Sequence, residues 1–156
     1  MRYALLTLLL AGSTACRPSD TPPADTALPE TAAPQTAAAA TPTLRILAPA
    51  EGSTVTSPVK VQVAVDGFGL VAATTPIAEG AGHLHFFIDT PPEAVPEGQM
   101  IPLDSATKYI HAGKEPLTER ELTLSPGEHV IWVVAANSGH LALRTPAPVK
   151  LTLKVQ

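Results

Sequence analysis

Seven consecutive residues, Val59-Lys-Val-Gln-Val-Ala-Val65, place a valine at every second position. Side chains alternate between the two faces of a strand but recur about every 3.6 residues on a helix. The run can therefore turn all its valines one way only as a β-strand with one buried and one wet face. The same alternation closes the chain, with Val149, Leu151, Leu153 and Val155 on one face and Lys150, Thr152 and Lys154 on the other. Between these two segments, Glu128–Ala136 is apolar on both faces, with Val130, Trp132 and Val134 opposite Ile131, Val133 and Ala135. A strand of that kind belongs at the centre of a sheet that is covered on both sides. His129 opens it, on the second of these faces.

The remaining pattern adds short strands and many turns. Leu44–Leu47 reads as a first strand, stopped by Pro49, with a turn at Glu51-Gly52-Ser53. Asp66–Gly69 turns the chain, and Leu70–Ile77, broken by Pro76, reads as a short strand or a packed loop. Gly80–Asp89 predicts a strand with Leu84, Phe86 and Ile88 facing one way and His83, His85 and Phe87 the other. The proline-rich stretch Thr90–Asp104 reads as a long loop folded over a face of the sheet. Tyr109–His111 is a short extended piece, and Glu119–Leu124 is a strand with Leu122 and Leu124 inward. Ser125-Pro126-Gly127 and Asn137-Ser-Gly-His140 are turns, and Lys60 and Lys150 suit exposed edge strands. About seven short strands and no helical period predict an all-β fold, an immunoglobulin-like β-sandwich over residues 43–156.

The N-terminal part has a different character. Arg2, the apolar run Tyr3–Ala11, the small residues Gly12, Ser13 and Ala15, and then Cys16 read as a lipoprotein-type signal over residues 1–16. Cys16 would carry the lipid, although Ser13 stands where such signals usually have an aliphatic residue. The competing reading is a plain secretory signal cut near Ala15. Residues 17–42 are rich in Ala, Pro and Thr with no apolar period, which predicts a disordered tether. At about 3.1 Å per residue, such a tether would hold the domain several tens of Å from a membrane. The expected address is therefore the bacterial cell envelope, on the periplasmic or outer side, with an envelope partner that the sequence leaves unspecified.

Several function classes fall away. A formal net charge of −4 with no basic cluster speaks against nucleic acid. The single cysteine rules out an internal disulfide and a thiolate zinc site. No Gly-x-Ser-x-Gly elbow occurs, Ser105, Ser125 and Ser138 lie in turns, and no glycine-rich phosphate loop follows a strand and opens a helix. The chain reads as a binding module rather than an enzyme; redox chemistry at a bound copper is the one catalytic idea left.

All five histidines lie in the second half of the chain. A His-x-His pair sets two imidazoles side by side on one strand face, and imidazole suits copper and zinc. The candidate metal ligands are His83, His85, His111 and His140, with Asp89 or Glu79 as supplementary oxygen donors. The competing reading is a structural or protein-interaction sandwich whose histidines close turns through hydrogen bonds and hold no metal. Convergence of the imidazole nitrogens separates the two.

The set Gly82-His-x-His85, Ile88-Asp89, Ile101-Pro102, His111-x-Gly113, Leu124-x-Pro-Gly-x-His129 and His140 falls in a familiar order. It resembles the bacterial envelope domain-of-unknown-function family numbered 4399, over roughly residues 66–155. That family usually has an aromatic residue where this chain has Ala112, and often an Asp where this chain has Asn137. The resemblance implies an exported β-sandwich and leaves the chemistry open.

Overall fold

The computed structural model describes residues 40–102, 107–112 and 117–156. The expected signal, Cys16 and nearly all of the expected tether lie outside the described residues, as do Asp104, Ser105 and Gly113. The described residues form nine strands: β1 Thr43–Ala48, β2 Thr54–Val55, β3 Val59–Asp66, β4 Gly69–Leu70, β5 Ala81–Ile88, β6 Tyr109–His111, β7 Glu119–Leu122, β8 Gly127–Ala136 and β9 Val149–Val155. One 3-10 turn at Pro92–Ala94 is their only helical element. Among the described residues no helix is long and apolar enough to cross a membrane.

The strands build two sheets. One has the order β1-β3-β7. The other runs β2-β9-β8-β5, with β4 and β6 both paired to β5. A three-stranded sheet facing a six-stranded one is the β-sandwich that the alternating segments predict. The main core lies between the sheets. Val59, Val61 and Val63 of β3 meet Leu84, Phe86 and Ile88 of β5, Ile131 and Val133 of β8, and Leu151 and Leu153 of β9. Complete burial of such side chains contributes roughly 1.5–3 kcal/mol each, and period-two spacing is what lets one strand supply three of them.

Three expectations are refined. Of Leu70–Ile77, only Leu70 joins a strand, and Ile77 stands 65% exposed beyond Pro76. The proline ring allows no ladder hydrogen bond there. Lys60 lies on β3, the middle strand of its sheet, so it marks a solvent face and not an edge; its ammonium pairs with Glu119 at 2.7 Å. In β1 a register shift between Ile46 and Ala48 rotates Leu47 outward, leaving it 60% exposed.

The loop after β5 positions everything that follows. It lies over the outer face of the second sheet, as its prolines and glycine suggest. Gly98 N donates to Ala142 O at 2.8 Å, Ala142 N to Gln99 O at 2.9 Å, and Ile101 N to His140 O at 2.8 Å. Beneath it a second, smaller core forms from Phe87, Val95, Ile101, Val134, Ala136 and Ala142. Arg144 ties the layers together, its guanidinium donating to Pro92 O and Val95 O at 2.7 Å each. The sheet β5-β8 is thus covered on both sides, which explains why β8 has no polar face.

Candidate metal centre

His83 and His85 project from the outer face of β5, as their spacing requires. The antiparallel ladder sets His85 opposite His111 of β6 and His83 opposite Ala136 of β8. His140 follows β8 in a tight turn and comes back over the same face. The four rings converge. Centroid separations are 4.6 Å from His83 to His111 and to His140, 5.0 Å from His85 to His83 and to His111, 5.2 Å from His111 to His140, and 5.5 Å from His85 to His140. One ring nitrogen from each of the four lies within 4.8 Å of the other three. Metal–nitrogen bonds of about 2.0–2.1 Å space the ligand atoms roughly 3.3 Å apart in a tetrahedron. In a square the same bonds give about 3 Å along an edge and 4 Å across.

Burial sets the electrostatics. His83 and His85 are 2% and 0% exposed, while His111 and His140 are half-buried. Desolvation, followed by repulsion from His111 and His140, pushes the His83 pKa down to about 4. Desolvation and the neighbouring imidazoles push that of His85 to about 2, with a backbone contact from Tyr109 opposing weakly. His111 and His140 are also lowered, both chiefly by burial. The rings are accordingly neutral, the form that ligates metals. Between His83 and His85 the two Nε2 atoms stand 3.0 Å apart, so one donates a proton to the other. His83 Nδ1 is left buried with no hydrogen-bond partner. A buried polar atom without a partner costs about 1–3 kcal/mol.

The structure brings His83, His85, His111 and His140 together, but not the supplementary oxygen donors expected beside them. Glu79 is exposed and does not join the cluster. Asp89 lies at the far end of β5 and is occupied. Its Oδ1 accepts from Val130 N at 2.8 Å and its Oδ2 faces His129 Nδ1 at 2.8 Å. The second nitrogen of His129 lies 2.9 Å from Ser125 O. Burial lowers the His129 pKa, but the hydrogen bonds to Asp89 and Ser125 outweigh it and leave the net shift upward. His129 is a hydrogen-bonded strut between Asp89 and Ser125 and no part of the cluster.

Three supporting residues were not evident as such in the sequence. Gly82 precedes His83 where β5 meets the end of β8, and a Cβ there would stand 1.9 Å from the Ala136 carbonyl oxygen. Glycine therefore permits the backbone approach that aligns the pair. Ala112, where the 4399 family usually has an aromatic residue, is 1% exposed and donates its N–H to Leu84 O at 3.0 Å. Asn137 opens the His140 turn, and its Oδ1 accepts from Gly139 N at 2.9 Å and Leu141 N at 3.0 Å. An aspartate carboxylate could accept the same two bonds.

The histidine set occupies one continuous sequence signature. No curated relative matches this chain. Among solved structures it is similar to the fibronectin(III)-like modules of CbhA from Clostridium thermocellum, at 17% identity and a TM-score of 0.40, over 72% of this chain and 95% of that one. The family model described as "Domain of unknown function (DUF4399)" matches residues 61–156, a span that runs from β3 to the C-terminus and takes in all four clustered histidines, and the chain belongs to that family.

Proposed function

We propose that this domain binds a transition-metal ion, copper or zinc, through His83, His85, His111 and His140. The observation that carries the reading is the four-imidazole cluster itself, with one nitrogen from each ring within 4.8 Å of the rest. An all-nitrogen neutral donor set suits copper(II) and zinc better than magnesium or calcium, which prefer oxygen. The buried Nδ1 of His83 supports the same reading. A bound ion would be held by one nitrogen lone pair from each neutral ring. Calorimetric titration of the purified chain with copper or zinc at neutral pH tests the proposal. The expected outcome is one ion per chain, with H83A/H85A abolishing the heat. Identical curves for wild type and double variant would end it.

The alternative is a structural or protein-interaction sandwich without metal. It is favoured by the 3.0 Å contact between His83 and His85, which a neutral pair makes unaided. The same titration decides between them.

We also propose that the protein is exported and held on the envelope membrane by lipid at Cys16, where it meets an envelope partner and not nucleic acid. The N-terminal Arg2, the apolar run to Ala11 and the position of Cys16 support this. Several acyl chains, at about 0.8 kcal/mol per buried CH₂, would anchor it firmly. Membrane fractionation of wild type and C16S tests it: the variant should leave the membrane fraction, and equal partitioning would rule the anchor out.

A further inference from the structure

We infer that Asn137 is a positioning residue for the fourth imidazole, so that the site consists of three histidines fixed by the sheet and one delivered by a preset turn. The inference rests on the metal-binding reading for its consequence, but its structural half stands without it.

The three sheet histidines need no help. The β5–β8 and β5–β6 ladders fix the backbone of His83, His85 and His111. His140 has no such ladder. Its φ is +62°, in the left-handed region that side chains other than glycine seldom adopt. What holds it there is a ring of hydrogen bonds around Asn137. The Asn137 carbonyl accepts from His140 N at 2.9 Å, and the Asn137 N–H donates to Leu141 O at 3.0 Å. The Asn137 side chain then takes the two N–H groups flanking His140, those of Gly139 and Leu141. Each bond closes on His140 or on a residue beside it, and the resulting turn sets the ring 4.6 Å from His83. Outside this ring the turn is also held by Ile101 N to His140 O and by isolated bridges that pair Met100 with Leu141 and Ala136 with Ala142. Removing the carboxamide frees two backbone donors and lets His140 relax to negative φ, which turns its ring away from the cluster.

The test has a metal-free arm and a metal arm. In the metal-free full-length chain, ring-to-ring NOEs between His83 and His140 should be present in wild type and in N137D, and lost in N137A. N137S, whose shorter side chain makes such turn hydrogen bonds more weakly than an Asn carboxamide, should weaken them, and serves in place of N137A if that variant fails to fold. With copper(II) as probe, N137A should bind about tenfold more weakly than wild type, the order expected for an outer-shell partner. Its EPR nitrogen splitting should match that of H140A, and N137A/H140A should bind no more weakly than H140A alone. N137D should restore wild-type splitting. Retained NOEs in folded N137A, or additive losses in the double variant, would overturn the inference. A wild type that binds no copper yet shows NOEs lost in N137A would refute the metal reading and leave the positioning role intact.

Discussion

The two ends of the β5–β8 ladder carry histidines whose pKa values are shifted in opposite directions. At one end His129 stands between a carboxylate and a carbonyl oxygen, and its pKa is raised. At the other end His83 and His85 are packed among other imidazoles, are almost fully buried, and have pKa values lowered to about 4 and about 2. The same residue type on the same two strands has its pKa raised at one end and lowered at the other. The difference is the partner and not the strand. Acceptors with negative character stabilise the imidazolium, whereas neutral rings in a desolvated cluster leave only a neutral lone pair to offer.

The comparison breaks most completely at Gly82. A side chain at the cluster end of the ladder meets the Ala136 carbonyl oxygen at 1.9 Å, so backbone must move. G82A should lose cooperative folding or fall by more than about 4 kcal/mol in urea unfolding, among the largest effects a single substitution produces. A normal melt would mean that β5 and β8 do not approach as described.

A milder test uses acid. Groups with depressed folded pKa values contribute stability that is present above the unfolded value near 6.5 and is lost as pH falls toward the folded values. For metal-free protein, His83 and His85 should therefore cost on the order of a few kcal/mol between about pH 6.5 and pH 4. Urea midpoints across that window check it, and side-chain NMR should find both rings neutral at about pH 5. A flat profile would show the cluster open to water.

The smallest effect expected lies at the other end and has the opposite sign. The raised pKa of His129 gives stability that is fully present below about pH 6.5 and fades as pH rises through the folded value. D89N keeps the acceptor for Val130 N but removes the charge. It should cost about 1–2 kcal/mol near pH 6 and less near pH 9. An equal cost at both pH values would show that His129 is not charged.

Much of the fold was legible because burial and strand period say the same thing. Val59–Val65 and Val149–Val155 are strands with one wet face, and Glu128–Ala136, apolar on both faces, is central because two layers cover it. The His83–His85 pair was legible for the same reason, since period two alone decides which residues share a face. That His111 stands beside it follows from strand register, and that His140 does so follows from a turn with positive φ. Neither is encoded in local periodicity. The oxygen donors were misassigned because proximity in sequence is not proximity along a strand: Asp89, four residues after His85, lies at the far end of β5 beside His129 and Val130. Arg144 carried no signal at all, since its carbonyl partners at Pro92 and Val95 lie some fifty residues away in the chain.

The loop that follows β5 is held on the outer face of the sheet by a small core of its own and by Arg144, which reaches it from the connection between β8 and β9. The two-sheet frame already has a complete interior without it. The histidine centre is thus mounted on a finished scaffold, not used as its keystone. Chemistry on that outer deck is free to be gained, retuned or discarded while the architecture beneath keeps its shape.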